Sequence, residues 1–145
     1  MEAYLISEND AFVPTANDER VMELLTDVLS KSEKVEFGEV AFIVMTDADH
    51  TELNIRYLDH DYSTDILTFD LSFDELISAD VCINWEVCLQ NAEHFQVSDR
   101  AELYRLFAHG MLHLAGYDDS TERERAKMRQ REDYYLQVIR DKGFM

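Results

Sequence analysis

"LFAHGMLHLAG", Leu106 to Gly116, is apolar at almost every position of a run whose spacing predicts a helix. A helix that is hydrophobic nearly all round belongs in an interior, so the rest of the chain must supply layers to cover it. The other decisive run, "EVAFIVMT" from Glu39 to Thr46, is rich in β-formers and apolar on both faces of a strand. Together they predict an α+β fold: a small mixed β-sheet with helices packed on it, and a central buried helix at 106–115.

Working outward, "AYLIS" (3–7) reads as a short strand, and Val21, Leu24, Leu25, Val28 and Leu29 recur at helical spacing over Asn17 to Lys31. "DADHTELNIRYLDH" (47–60) reads as a helix with Asp49 as N-cap and Glu52 as its capping-box partner. "DILTFDLS" (65–72) and "ADVCINWEV" (79–87) read as neighbouring strands, followed by a helix near "WEVCLQNAEHF" (85–95). Ser98-Asp99 is placed to cap the apolar helix, with Glu102 completing a box and Gly116 as the left-handed stop. A charged helix from Thr121 to about Lys142 closes the chain, opened by a Thr121–Glu124 box. The strands and helices do not alternate regularly, which favours the mixed sheet over a doubly wound parallel one.

The 145 residues, 46% hydrophobic and without a Gly/Pro/Ser linker, predict a single domain over 1–145. No apolar run approaches the roughly 20 residues of a membrane span, and "MEAYLISEND" lacks the basic start and apolar core of a signal peptide. The expectation is a cytoplasmic protein with no membrane partner, whose Cys82 and Cys88 are buried thiols at no zinc spacing.

The formal net charge of −18 by itself disfavours a nucleic-acid partner, because binding phosphates takes Lys and Arg. The charge is uneven, however: residues 1–120 hold 6 basic and 26 acidic side chains, whereas residues 121–145 hold 7 and 5. An anion-binding surface must draw on the last helix, where Arg123, Lys127 and Arg131 recur at i, i+4, i+8 on one face.

His109 and His113, also four apart, lie one turn above each other and can aim at one point. Both are expected to be buried in this apolar helix, so each imidazole needs a partner, and a divalent metal serves both. After the turn at Gly116, either Asp118 or Asp119 can fold back as a third ligand, leaving a position open as catalytic sites do. A peptidase reading fails on one residue: Gly110 follows the first His, where the zinc-peptidase signature has its Glu base.

These residues carry a resemblance. "HGMLHLAGYDD" (109–119) is similar to the "HGxLHLxGYDH" hallmark of the YbeY-type rRNA maturation factors, metal-dependent endoribonucleases. "LNIRYLDHDYSTDILTFD" (53–70) is similar to that family's "LNxxYRxxDxxTDVLSFP", and "ADVCIN" (79–84) to its "GDIxI" strand. The resemblance implies one zinc ion per chain, held at His109, His113 and Asp119. It also implies cleavage of single-stranded RNA in maturation of the 16S rRNA 3′ end and in ribosome quality control, with the small subunit as partner.

Two departures follow from the same match. The family's third ligand is usually His, here Asp119, which makes a 2-His-1-carboxylate set that other divalent metals accept and that acidifies a bound water less. The family's arginine falls on Leu58; Arg56, two residues away on another side of the helix, is the candidate substitute. The substrate-contact candidates are therefore Arg56, Arg123, Lys127 and Arg131. The rival readings are a ribosome-associated binding module with a structural metal, and a metallohydrolase acting on another substrate.

Overall fold

The computed structural model describes residues 2–60 and 63–145; Asp61 and Tyr62, inside the stretch that resembles the family motif, lie outside them. Its elements, in chain order, are β1 (Glu2–Glu8), α1 (Ala16–Glu33), β2 (Glu36–Met45), α2 (Asp47–Leu58), β3 (Ile66–Asp70), β4 (Leu76–Asn84), α3 (Trp85–Phe95), α4 (Asp99–Leu114) and α5 (Glu122–Asp141). The sheet order is β1-β2-β4-β3, with β1 parallel to β2, β2 parallel to β4, and β3 antiparallel to β4. This is the α+β arrangement, a mixed sheet of four strands.

Strand alternation explains why β2 is apolar on both faces from Val40 to Met45. Phe42 and Val44 join Val81 and Ile83 of β4 in the main core under α1 and α4, while Met45 meets Leu67 and Cys82 in a second cluster on the opposite face. Helix α2 covers part of that second face: Leu53 packs on the cluster, and buried His50 shares a 2.9 Å hydrogen bond through Nε2 with the Cys82 carbonyl. Among the described residues no helix is long and apolar enough to cross a membrane.

Helix α4 lies against the sheet through Leu103, Phe107 and Met111, all fully buried, with Phe107 tilted on Phe42 at a centroid distance of 4.8 Å. Gly110 permits the approach: a Cβ there would meet Val81 Cγ1 at 3.1 Å and Ile66 Cδ1 at 3.3 Å. Gly110→Val is expected to cost about 1–3 kcal/mol through overpacking, more than the fraction of a kcal/mol that better helix propensity returns. Urea unfolding measures it, and an unchanged midpoint would show that the sheet can yield.

Three details differ from the sequence reading. Thr46, not Asp49, caps α2, with its hydroxyl accepting the Asp49 amide, which makes Asp49 the third helical residue. Ser98 caps α4 alone, because Glu102 falls one position too late for a box and is buried. The histidines of α4 are not interior residues: His109 retains 21% side-chain exposure and His113 is exposed. Ala101, Arg105, His109 and His113 form the i, i+4 stripe that α4 turns away from the sheet, so the helix is buried while its proposed ligands are at the surface.

Candidate metal centre and its cleft

The end of α4 aims the chain back on itself. Gly116 adopts φ +110°, Tyr117 N–H donates to the Leu112 carbonyl at 3.0 Å, and Gly116 N–H to that of His113 at 3.1 Å, a Schellman turn. Arg125 donates to the Asp119 and Ser120 carbonyls, pinning the loop, and α5 starts at the Thr121–Glu124 capping box that the sequence predicts. The Asp119 side chain is thereby left out of the capping and returns to α4. Its Oδ2 stands 3.5 Å from His109 Nε2. Asp118, the other candidate, is exposed and lines a separate surface hollow with Tyr117, Glu124 and Lys127.

Both imidazoles have their Nδ1 occupied. His109 Nδ1 is 2.7 Å from Glu132 Oε2 on α5, and His113 Nδ1 is 3.1 Å from the Tyr117 carbonyl. A carbonyl can only accept, so His113 Nδ1 carries the hydrogen; the same tautomer of His109 satisfies the Glu132 carboxylate. Each Nε2 is then a lone-pair donor, and a carboxylate or carbonyl behind the ring is the usual support of a metal-binding histidine.

The His109–Asp119 spacing carries more information. Two acceptors facing one another at 3.5 Å repel unless a cation lies between them. A proton is one such cation. Burial would depress the His109 pKa, but the Glu132 hydrogen bond and charge, followed by Asp119 and Asp65, overcome it and hold the group above its ordinary 6.5. A metal is the other: ligands about 2.0 Å from a tetrahedral ion sit about 3.3 Å apart, close to the observed separation. The donor chemistry thus fits a zinc-type ion at the pair, but among the described residues no three His, Cys, Asp or Glu side chains are drawn together as a finished site. His113 lies one turn further on, exposed, with its Nδ1 on the Tyr117 carbonyl.

The pair opens on a cleft between α4 and α5 of about 280 Å³, lined among others by Asp65, Arg105, Arg125, Arg129 and Glu132. Glu132 is its hinge pin, buried, bonded to His109 through one oxygen and to Arg105 at 2.9 Å through the other. Sequence reading missed Glu132, Arg125 and Arg129. The signal for the arginines was available: Met128, Glu132, Tyr135, Leu136 and Ile139 are the buried stripe of α5, and Arg125 and Arg129 flank it.

The predicted contact residues fall elsewhere. Arg131 is occupied in the joint between α5 and α1, donating to Glu33, which also accepts from Tyr117 and Tyr135. Its guanidinium lies over the Tyr134 and Tyr135 rings. Lys127 sits 5.5 Å from the Tyr117 ring centroid, and Arg123 is exposed. Arg56 pairs with Glu52 at 3.0 Å on the solvent side of α2, and neither it nor the exposed Leu58 lines the cleft. The sequence face of 123, 127 and 131 is thus a different face of α5 from the one bordering His109.

Comparison with known proteins gives the frame for this geometry. Residues 5–140 match the family model described as Endoribonuclease YbeY. The protein of that name from Flavobacterium johnsoniae is 38% identical over 117 residues, covering 81% of this chain and 84% of the relative. Its counterpart from Christiangramia forsetii is 34% identical over 132 residues, covering 91% and 90%. The solution structure of TM1509 from Thermotoga maritima superposes with a TM-score of 0.65 over 98% of this chain and 91% of that one, at 23% identity, a likeness of fold. With nearly the whole length matched by the model and by relatives above 30% identity, the chain belongs to the endoribonuclease YbeY family.

Proposed function

We propose that this protein is a zinc-dependent endoribonuclease that cuts single-stranded RNA during maturation of the 16S rRNA 3′ end and in ribosome quality control, as one cytoplasmic domain acting at the small subunit. The observation that carries the site assignment is the facing pair His109 Nε2 and Asp119 Oδ2 at 3.5 Å, with both histidine Nδ1 atoms tied back. His109, His113 and Asp119 would hold the ion. Zinc there supplies the Lewis acidity that polarises a phosphodiester and acidifies water.

The chain's own contributions follow from its contacts. Glu132 retains the His109 Nδ1 proton and fixes the ring, and the Tyr117 carbonyl does the same for His113. Arg125 and Arg129 bring positive charge to a cleft that also holds Asp65, Glu102, Glu132 and the Glu132-paired Arg105, and orient the RNA backbone. Arg123 and Lys127 extend that charge along the adjacent face of α5; Arg131, held by Glu33, contributes field but no free donor fork.

Elemental analysis of untagged protein tests the assignment. About one zinc per chain is expected, lost in both His113→Ala and Asp119→Ala, with single-stranded RNA cleavage lost alongside. Full occupancy in Asp119→Ala would remove Asp119 from the set. Metal loss with cleavage retained would make the ion structural.

A further inference from the structure

Beyond the His109–Asp119 pair, the cleft continues into a second hollow of about 180 Å³ bounded by Phe95, Val97, Glu102, Arg129, Leu136 and Arg140. The two share Phe95, Glu102, Arg105, Arg129 and Glu132 as walls, so they form one continuous groove. Together they fall in the roughly 300–1,000 Å³ range of pockets that hold small organic ligands.

Three features of the second hollow are unexplained by folding. Phe95, at the end of α3, is 54% exposed with the His94 ring set at 72° to its own at 4.9 Å, and Val97 beside it is 44% exposed. Glu102 is 5% exposed, lines both hollows, and among the described residues its carboxyl accepts no hydrogen bond. Arg129 and Arg140 stand on α5 without an ion-pair partner among the described residues, unlike Arg105, which Glu132 and Asp133 clamp. An exposed aromatic ring, a nearly buried carboxyl that accepts no hydrogen bond and stands near Arg105, and two guanidinium groups without an ion-pair partner among the described residues are the parts of a nucleotide site: stacking surface, base reader and phosphate anchors.

The reader sets the base. An ionised carboxylate only accepts, through two adjacent oxygens, and guanine is the one RNA base whose pairing edge presents two adjacent donors, N1–H and the exocyclic amino group. We propose that this hollow is a guanine subsite of the nuclease cleft, in which the base lies on Phe95, its N1–H and amino group donate to Glu102, and Arg129 and Arg140 hold the flanking phosphates. Burial, reinforced by the Asp65 and Glu132 charges and opposed by Arg105, pushes the Glu102 carboxyl up to about 7, so pH 8 presents the acceptor form. The assignment rests on the endoribonuclease reading for its biological sense, but its binding chemistry can be tested apart from cleavage.

The experiment titrates Phe95→Trp protein at pH 8 with guanosine, adenosine, cytidine and uridine 5′-monophosphates, following tryptophan fluorescence against the unsubstituted chain, whose Trp85 is buried. Saturable quenching is expected, with half-saturation by the guanosine nucleotide at about tenfold lower concentration than by the others, the scale of one bidentate base contact. Glu102→Gln in the same background, which replaces one acceptor with a donor, erases that preference, and Arg140→Ala weakens all four alike. Absent quenching, or equal half-saturation for all four, overturns the subsite, as does a guanosine preference that survives Glu102→Gln. Should Glu102→Gln fail to fold by circular dichroism, the four-nucleotide comparison and Arg140→Ala, which is exposed, decide the matter. Cleavage of single-stranded RNA by the unsubstituted chain is assayed in parallel. Cleavage without a guanosine preference sinks the subsite alone, and a guanosine preference without cleavage sinks the nuclease reading alone.

Discussion

If His109 holds the metal as proposed, His109→Ala is expected to lower RNA cleavage by more than about a hundredfold, because the loss of a ligand must exceed the roughly 10–100-fold that loss of an orienting partner costs. Glu132→Ala supplies that lesser comparison. It leaves the imidazole in place but removes the carboxylate 2.7 Å behind it and frees Arg105 from one of its two clamps. Metal affinity and cleavage should fall together in Glu132→Ala, by about 10–100-fold, whereas Glu132→Gln, which can still accept the Nδ1 hydrogen, should recover part of both. Zinc competition titrations and single-turnover cleavage measure the two quantities. If Glu132→Ala alters cleavage with metal affinity intact, Glu132 acts on the RNA and not through His109.

The largest stability effect is expected far from the cleft, at Asp18. This side chain is fully buried in α1, accepting from Arg100 Nε at 3.2 Å, Arg100 Nη2 at 3.1 Å, Tyr104 O–H at 2.7 Å and the Thr15 amide at 2.9 Å. It is also the N3 member of the α1 capping box. Asp18→Ala strands a guanidinium and a buried phenol, and breaking a buried pair on one side costs about 3–5 kcal/mol; Arg100's one-third exposure places the result at the lower end. The pH dependence has a definite sign. Burial would raise the Asp18 pKa, but Tyr104, Arg100 and Thr15 outweigh it and hold the group below 3.8. A depressed folded pKa contributes stability that is present above the unfolded value and lost as pH falls through the folded one. Urea midpoints of the wild type should therefore drop more steeply than those of Asp18→Ala on acidification below about pH 4. Parallel slopes would remove Asp18 from the acid-sensitive set.

Much of this architecture is legible in the residues. The double-faced apolarity of β2, the stripe of α1 and the glycine stop of α4 each reflect a local preference that tertiary structure keeps. The caps of α2 and α4 were displaced because Thr46, Asp47 and Asp49, or Ser98 and Asp99, can each cap, and only backbone direction selects among them. Burial of the histidines was overstated for a compositional reason: Ala108, Gly110 and the leucines fill the sheet-facing arc so densely that the narrow 101–105–109–113 stripe hides among them. Choosing Asp119 over Asp118 required the family resemblance; of the two, Asp119 is the one whose carboxylate stands 3.5 Å from His109 Nε2. Glu132 was out of reach, since nothing near position 132 in the chain signals a partner 23 residues away. The arginine face was misjudged because charge spacing alone was followed, and not the apolar stripe of α5 that fixes how that helix rolls against α4.

The sheet order has a kinetic corollary. Pairing β1 with β2 and β2 with β4 in parallel obliges each pair to close over an intervening helix, so the sheet accumulates distant contacts that a searching chain acquires slowly. The segment from His109 to Glu132 closes on itself through one Schellman turn and a short loop, at little entropic cost. The histidine–carboxylate hairpin is thus a contact of short sequence separation, while the sheet that shelters its apolar side is built from distant ones.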